Sequence, residues 1–162
     1  MNASINSLPT SLRIASLGFT LIELMVTIAV LAIIVSIAAP NISTQLANQR
    51  VKSTAATLTN ALKEAKAESI IRRQDIELSI DNSNHALTIE IENLDEDELA
   101  SYSYSAQNTI ETDEEIDAVM FKPDKRADAV TYTICDSKNA SSSMQVIVTA
   151  IASISVVTGG TC

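Results

Sequence analysis

The sequence is poor in the residues on which most enzyme and nucleotide-binding sites depend. Its 162 residues include three glycines, one histidine, two cysteines and no tryptophan. We find no glycine-rich phosphate loop, and His85 has no second histidine or nearby cysteine with which to hold a metal. Few aromatic side chains also argue against a stacking platform for bases or sugars. We therefore predict that the protein is not an enzyme and uses no cofactor or metal.

Positive charge is scarce as well. Lysine and arginine number 11 against 20 aspartates and glutamates, which gives a net charge of -9. Nucleic-acid surfaces need an excess of basic side chains, so this balance argues against one. The acidic clusters at 93–98 and 111–117 offer oxygen ligands for Ca²⁺ but lack the spacing and turn glycine of an EF-hand. We interpret both clusters as solvated loops.

What the chain does have is a long apolar run near its start. Residues 19–39 contain one charged side chain, Glu23. As a helix this run would be about 31 Å long, which matches the hydrocarbon core of a bilayer. A carboxylate inside such a segment costs a few kcal/mol or more unless it is paired. The pattern predicts a membrane span in which Glu23 requires a cationic partner.

Cleavage of the chain after Gly18 would create that partner. The new amine of Phe19 would lie four residues before Glu23, on the same face of a helix that begins there. The amine and the carboxylate could then pair within one chain or between neighbouring chains. The alternative is an ordinary membrane anchor that is not cleaved.

The segment 18–23, Gly-Phe-Thr-Leu-Ile-Glu, resembles the signal of type IV prepilins and type II secretion pseudopilins. In that family a membrane peptidase cuts after the glycine and methylates the new N-terminal phenylalanine, and the glutamate is needed for assembly. The resemblance implies a cleaved leader at 1–18, cleavage between Gly18 and Phe19, N-methylation of Phe19 and an assembly role for Glu23. Pro40 lies where the family often has a helix-bending proline.

The same resemblance implies a location and a set of partners. The chain would cross the inner membrane once, with its N-terminus in the cytoplasm and its head in the periplasm, and would then enter a filament at the cell surface. Arg13 precedes the span and the next basic residue is Arg50, which agrees with the positive-inside rule. The implied partners are prepilin peptidase, the inner-membrane assembly platform, and other minor and major pilins.

Beyond Pro40 the helical pattern continues but becomes amphipathic. The predicted buried stripe consists of Leu46, Val51, Ala55, Leu58, Leu62, Ala65 and Ser69. The alanine-rich stretch 48–74 resembles the helix of the GspH/FimT family, which includes the H-type minor pseudopilins and the FimU- and FimT-type minor pilins. The resemblance implies an α+β pilin fold, with a long N-terminal helix packed on a C-terminal antiparallel β-sheet domain. We place the membrane and filament-core helix at 19–45 and the head at 46–162, with helix 46–73 and sheets within 75–157.

From residue 75 the apolar period changes from helical to alternating. We predict strands at 75–80, 87–91, 99–105, 118–121, 129–135, 144–149 and 154–157, with polar turns at 81–84 and 136–143. Cys135 and Cys162 both lie in the exported part, so a disulfide is favoured over two free thiols. A disulfide that closes the loop between these two cysteines would stabilise the fold by roughly 3–4 kcal/mol.

Three functions follow from the resemblance. FimT-type proteins bind DNA through a Gly-Arg-x-Arg motif, and the matching positions here are 152–155, Ala-Ser-Ile-Ser, which lack both arginines. Without those phosphate contacts an acidic chain is expected to bind DNA poorly. We therefore favour a structural minor pilin of a type IV pilus, in its tip or priming complex. An H-type pseudopilin of a type II secretion system ranks second and a DNA-binding pilin third.

Overall fold

The computed structural model describes residues 18–92, 98–113, 118–137 and 143–162, without the side chains of 38–41. Within these residues helix α1, Leu21–Arg72, is followed by eight strands. These are β1 Ile76–Asp81, β2 Ala86–Ile91, β3 Glu98–Ser103, β4 Asn108–Thr112, β5 Ala118–Phe121, β6 Val130–Asp136, β7 Met144–Val148 and β8 Ile154–Thr158. The chain divides into two units, Met1–Ala38 and Ala39–Cys162.

The strands form two four-stranded sheets. The first has the order β3-β2-β1-β5 and the second the order β4-β6-β7-β8. Every pairing is antiparallel. Alternate residues of β1 and β2 are buried, as the period of two predicts. The expected α+β fold with antiparallel sheets is confirmed.

The second half of α1 packs one stripe into the core of the Ala39–Cys162 unit. Val51, Leu58 and Leu62 in that stripe are almost completely buried, as the sequence predicts. Leu46 was expected in the same stripe but is 57% exposed, whereas Ala47 is fully buried. The reason is geometric. Ala47 lies four residues before Val51 and stays on its face, while Leu46, one residue earlier, is rotated by about 140° from Val51.

Strand β4 was not expected. The acidic residues predict a loop at 111–117, but Glu111 and Thr112 belong to β4, which pairs with β6. Asn108 and Ile110 are buried, whereas Thr109 and Glu111 are exposed. This alternation is that of a half-buried strand, but it is hard to recognise in the sequence because the buried Asn108 is polar. Residues 93–97, 114–117 and 138–142 of the predicted loops lie outside the described residues.

Two side chains of α1 tie it to the second sheet. The Arg50 guanidinium donates from Nε to Oδ2 of Asp136 at 2.8 Å, and the Asp136 side chain is fully buried. Sixteen residues further along, Lys66 Nζ donates to the carbonyl oxygen of Ala152 at 2.7 Å. Both contacts join residues 86 apart in sequence, so they fix how this helix half lies against β6 and the β7–β8 turn.

A disulfide joins Cys135, near the end of β6, to Cys162, with 5.7 Å between their Cα atoms. The predicted pairing is confirmed. The tail lies against the second sheet, because Gly159 N–H donates to the Ser143 carbonyl at 3.0 Å and Ser143 Oγ donates to the Gly160 carbonyl at 2.6 Å. A Cβ atom at Gly160 would meet Thr133 Cγ2 at 2.8 Å, closer than real contacts allow.

The close approach at Gly160 gives a testable prediction. Gly159 and Gly160 both have positive φ, but a Cβ at Gly159 meets nothing within 4 Å. Alanine at either position carries the backbone strain, and only Gly160→Ala adds overpacking. We expect Gly160→Ala to lower the free energy of unfolding by about 1–3 kcal/mol more than Gly159→Ala does, measured by urea denaturation of the detergent-solubilised chain. Equal losses would show that the tail does not seat against Thr133.

The three tyrosines should report folding at alkaline pH. Burial raises the pKa of Tyr104 to about 12 and also raises the pKa of Tyr132. The pKa of Tyr102 is raised chiefly because its hydroxyl donates to the Glu64 carboxylate. Because the unfolded chain loses these protons at about pH 10, the folded chain is stabilised below that pH and loses the contribution as pH rises towards 12 and beyond.

We therefore expect phenolate absorbance to appear above pH 10 and to rise together with unfolding. The sequence has no tryptophan to obscure this signal. The chain in concentrated urea is the control and should titrate near pH 10. Superimposable titration curves for the folded and the urea-unfolded chain would contradict the burial of Tyr104 and Tyr132 and the hydrogen bond between Tyr102 and Glu64.

Candidate functional site

The predicted cleavage segment lies in front of α1. Gly18, Phe19 and Thr20 are all exposed, and the Phe19 side chain is 81% accessible. A Cβ built on Gly18 meets no atom within 4 Å. Among the described residues, nothing covers the peptide bond between Gly18 and Phe19.

Thr20 caps the helix. Its Oγ1 accepts the backbone N–H of Glu23 at 3.2 Å, and its carbonyl accepts the N–H of Leu24 at 3.2 Å. The sequence Thr-Leu-Ile-Glu has the spacing of a capping box, in which the third residue after the cap is acidic. The Glu23 carboxylate lies in the first helical turn, where the helix dipole favours negative charge.

The cap corrects one expectation. The helix was expected to begin at Phe19, but it begins at Leu21 because Thr20 occupies the cap position. Phe19 therefore lies outside the helix in this chain, and the argument that Phe19 and Glu23 share a helical face does not apply to it. A pairing between neighbouring chains does not depend on that argument.

Residues 21–37 of α1 present an almost wholly apolar surface. Each large apolar side chain from Leu21 to Ile37 is at least half exposed. Two hydroxyls in this stretch donate back to their own helix, from Thr27 to the Leu24 carbonyl at 2.8 Å and from Ser36 to the Ile33 carbonyl at 2.7 Å. Such a surface is typical of a helix that lies in lipid or among other apolar helices.

Glu23 is the charged group on that surface. The ion pairs found in the described part of the chain are Arg50–Asp136, Arg72–Glu68 and Arg126–Asp124. None of them includes Glu23. A cation for this carboxylate therefore has to come from outside the described residues.

Two related expectations concern the membrane span and its bend. Within the described residues no single helix meets the length and hydropathy criteria for a span, and Leu21–Ile37 with Ile42–Arg72 meets them as a pair. Pro40 lies in α1, but its side chain is outside the described ones. Its bending role remains a prediction, as does the leader, since 1–17 are also outside the described residues.

His85 is the one histidine of the sequence, and it packs within the fold. It lies in the turn between β1 and β2, with its ring edge-on to Tyr104 at 5.5 Å between centroids. In the described ranges no three histidine, cysteine or acidic side chains come together as a metal site.

Comparison with known proteins places this segment in context. Residues 14–39 match the prokaryotic N-terminal methylation motif, and residues 54–152 match the family described as type II transport protein GspH. The second match covers more than half of the chain. The protein belongs to the GspH family. Comparison with curated proteins returned no match.

Solved structures show that the GspH-family chain has the pilin fold. The type IV minor pilin FimU of Pseudomonas aeruginosa is 16% identical, with a TM-score of 0.60 over 67% of this chain and 89% of FimU. The minor pseudopilin EpsH of the Vibrio cholerae type 2 secretion system is 13% identical, with a TM-score of 0.56 over 67% of this chain and 96% of EpsH. At these identities both likenesses concern the fold and do not separate a pilus from a secretion role.

The cap at Thr20 can be tested within the GspH-family chain. Thr20→Val removes the side-chain acceptor of the Glu23 N–H and should destabilise the first turn by about 1 kcal/mol, or about fivefold in local opening. Hydrogen exchange of the Glu23 and Leu24 amides in detergent micelles measures this opening. Thr27→Val is the matched control, because the Thr27 hydroxyl donates within the helix and caps nothing. Equal exchange rates in the two variants would show that Thr20 does not stabilise the first turn as a cap.

Proposed function

We propose that this chain is a structural minor pilin of a type IV pilus, cleaved after Gly18, methylated at Phe19 and incorporated into the filament through Glu23. The observation that carries the proposal is the lone carboxylate at the start of an exposed apolar helix, directly after a Gly-Phe pair. The methylation motif over 14–39 supports the same role. Residues 1–18 are the leader, 19–45 the membrane and filament-core helix, and 46–162 the head.

The mechanism rests on the charge at Glu23. Before assembly the apolar helix lies in lipid, where a lone carboxylate is costly. Cleavage frees the amine of Phe19, and the amine of one chain neutralises the Glu23 carboxylate of a neighbour as both leave lipid. The apolar side chains then pack among those of other subunits, with a helix bend at Pro40. The Thr20 cap satisfies the Glu23 backbone N–H and leaves the carboxylate for this pairing.

The same proposal assigns the partners and the location. Prepilin peptidase processes the chain in the inner membrane, with the leader in the cytoplasm and the head in the periplasm. The assembly platform then inserts it beside other minor and major pilins, in the tip or priming complex. The confirmed Cys135–Cys162 disulfide agrees with a head that folds outside the cytoplasm.

Mass spectrometry of the N-terminus tests the proposal. We expect the chain recovered from membranes and from sheared filaments to begin at Phe19 and to carry one added methyl group. The same chain from a peptidase-deficient strain is the control and should keep residues before Gly18. An uncut leader in the wild-type strain, or a terminus at another residue, would reduce the chain to an anchored periplasmic protein.

An H-type pseudopilin of a type II secretion system is the second candidate, because the matching family is described by that transport role. Deletion of the gene distinguishes the two. If the chain is a pilus subunit, its deletion is expected to reduce surface pili and to leave exoprotein secretion unchanged. If it is a pseudopilin, its deletion is expected to reduce exoprotein secretion and to leave surface pili unchanged.

A DNA-binding pilin is the third candidate and is disfavoured. Ala152 has φ +53, a conformation that favours glycine, which supports its alignment with the glycine of Gly-Arg-x-Arg. Ser153 and Ser155 then stand where that motif has its arginines, and no basic residue follows Lys138. A gel shift with the detergent-solubilised chain at physiological salt tests this ranking, and tight binding would reverse it.

A further inference from the structure

In the described part of the chain, three of the four sheet edges are protected against pairing with another strand. At β4 the Asn82 side chain occupies the edge, since it donates to the Ile110 carbonyl at 2.9 Å and accepts the Ile110 N–H at 3.0 Å. At β5 the segment 126–128 folds back, with Lys122 N–H donating to the Arg126 carbonyl at 2.8 Å. At β3 a bulge and the charged Glu98 interrupt the ladder. Charges, bulges and covering segments are the usual means by which proteins block sheet edges.

The remaining edge, β8, carries none of these devices among the described residues. Its sequence, Ile-Ser-Val-Val-Thr, is uncharged and rich in β-branched side chains. Gly159 donates to Ser143, and Thr149 donates to the Ser153 carbonyl, so odd-numbered residues of this strand face β7. The N–H and C=O groups of Ile154, Val156 and Thr158 therefore point away from the sheet.

A groove runs beside this edge. Its mostly apolar space of about 280 Å³ is lined by Ala55 and Ala56 of α1 and by Met144 and Val156 of the sheet, with the polar Lys52, Thr59 and Asn60 also at its wall. The Lys66 contact to the Ala152 carbonyl lies further along the same helix and at the start of β8. Strand and helix thus run alongside each other, with the open edge next to the groove.

The helix surface beside the groove is cationic. Residues 46–73 include six lysines and arginines and two glutamates, whereas 74–162 include four basic and 17 acidic residues. Lys52 and Lys63 are exposed, three helical turns apart on one face, and neither is in an ion pair of the described residues. The glutamates are engaged elsewhere, Glu64 with Tyr102 of the first sheet and Glu68 with Arg72.

We propose that β8 accepts an extended acidic segment of a neighbouring pilin subunit as an added strand. The segment pairs with the outward backbone groups of Ile154, Val156 and Thr158, places an apolar side chain in the groove and directs a carboxylate to Lys52. Charge complementarity selects this occupant. A second copy that pairs through its own β8 fits less well, because that strand, Ile-Ser-Val-Val-Thr, carries no carboxylate. The inference rests on the proposed filament role.

Site-specific photo-crosslinking in pilus-forming cells tests the edge. A photoreactive residue replaces Val156 in the full chain, and Val157 is the matched control, because both valines are 41% exposed and Val157 lies on the opposite face of the strand. We expect crosslinks from position 156, in membranes or filaments, to a carboxylate-containing segment of another pilin identified by peptide mass spectrometry. The proposal is overturned if position 156 crosslinks to a second copy or to DNA, or if it gives no crosslinked product. Equal crosslink yields at positions 156 and 157 also overturn it.

Two variants separate edge pairing from folding. Val156→Pro removes an outward N–H and keeps the β7 ladder, so we expect about tenfold less chain in sheared filaments with unchanged cleavage and disulfide formation. Lys52→Glu should lower the crosslink yield from position 156 about fivefold, while Lys125→Glu, on the β5–β6 turn, should not. Wild-type incorporation of Val156→Pro counts against the edge, whereas an uncut leader counts against the filament role alone.

Discussion

Glu23→Val is expected to leave cleavage at Gly18 intact and to reduce recovery of the chain in sheared filaments at least about tenfold. The carboxylate has no cation among the described residues, and the described surface around it is apolar. Valine removes the group that the amine of a neighbouring Phe19 would neutralise. The amine would then enter the filament core unpaired. The measurement is the ratio of filament to membrane chain, with the mature terminus confirmed by mass spectrometry.

Glu23→Gln is the matched variant for this experiment. Glutamine keeps the length of the side chain and is equally compatible with the capping-box spacing after Thr20, but it removes the negative charge. If charge neutralisation drives incorporation, glutamine should fail almost as completely as valine. Incorporation restored by glutamine would assign Glu23 to helix capping, and normal incorporation of both variants would remove it from assembly.

Most of the fold could be predicted from local patterns of apolar residues in the sequence. The period of the apolar residues located α1 and seven of the eight strands, because burial on one face leaves a regular trace in the sequence. The missed strand, β4, shows the limit of this signal. Asn108 is fully buried, with its side-chain Nδ2 donating to Thr54 Oγ1 at 2.8 Å. An asparagine whose side-chain N–H group is bound by a helix residue 54 positions earlier looks like a loop residue from the sequence alone.

The candidate site was predictable in its chemistry but not in its geometry. The Gly-Phe pair and Glu23 lie within the six consecutive residues 18–23, so a short motif contains them all. The cap could have been predicted, because Thr20 and Glu23 have the spacing of a capping box. The open β8 edge could not be predicted, since it depends on strand order and on Asn82 covering a different edge.

Removing the disulfide is expected to lower the free energy of unfolding by roughly 3–4 kcal/mol, from the entropy of the open loop between residues 27 apart. The tail also makes contacts that need no disulfide, through Ser143 to Gly159 and Gly160. If those contacts hold the tail without the disulfide, the folded state is unchanged and the full loop-entropy loss appears in the free energy of unfolding. The double variant Cys135→Ser/Cys162→Ser, measured by urea denaturation in detergent, gives the full effect.

The reduced wild-type chain is the control that separates loop closure from the serine substitutions. Reduction leaves both sulfur atoms in place, so Cys135 still fills its buried position at the end of β6. The double variant additionally places a hydroxyl there, which costs energy if it finds no partner. Equal losses in both would assign the stabilisation to loop closure. A loss confined to the serine variant would assign it to packing at Cys135, and the bond would then serve only to hold the last residues against the sheet.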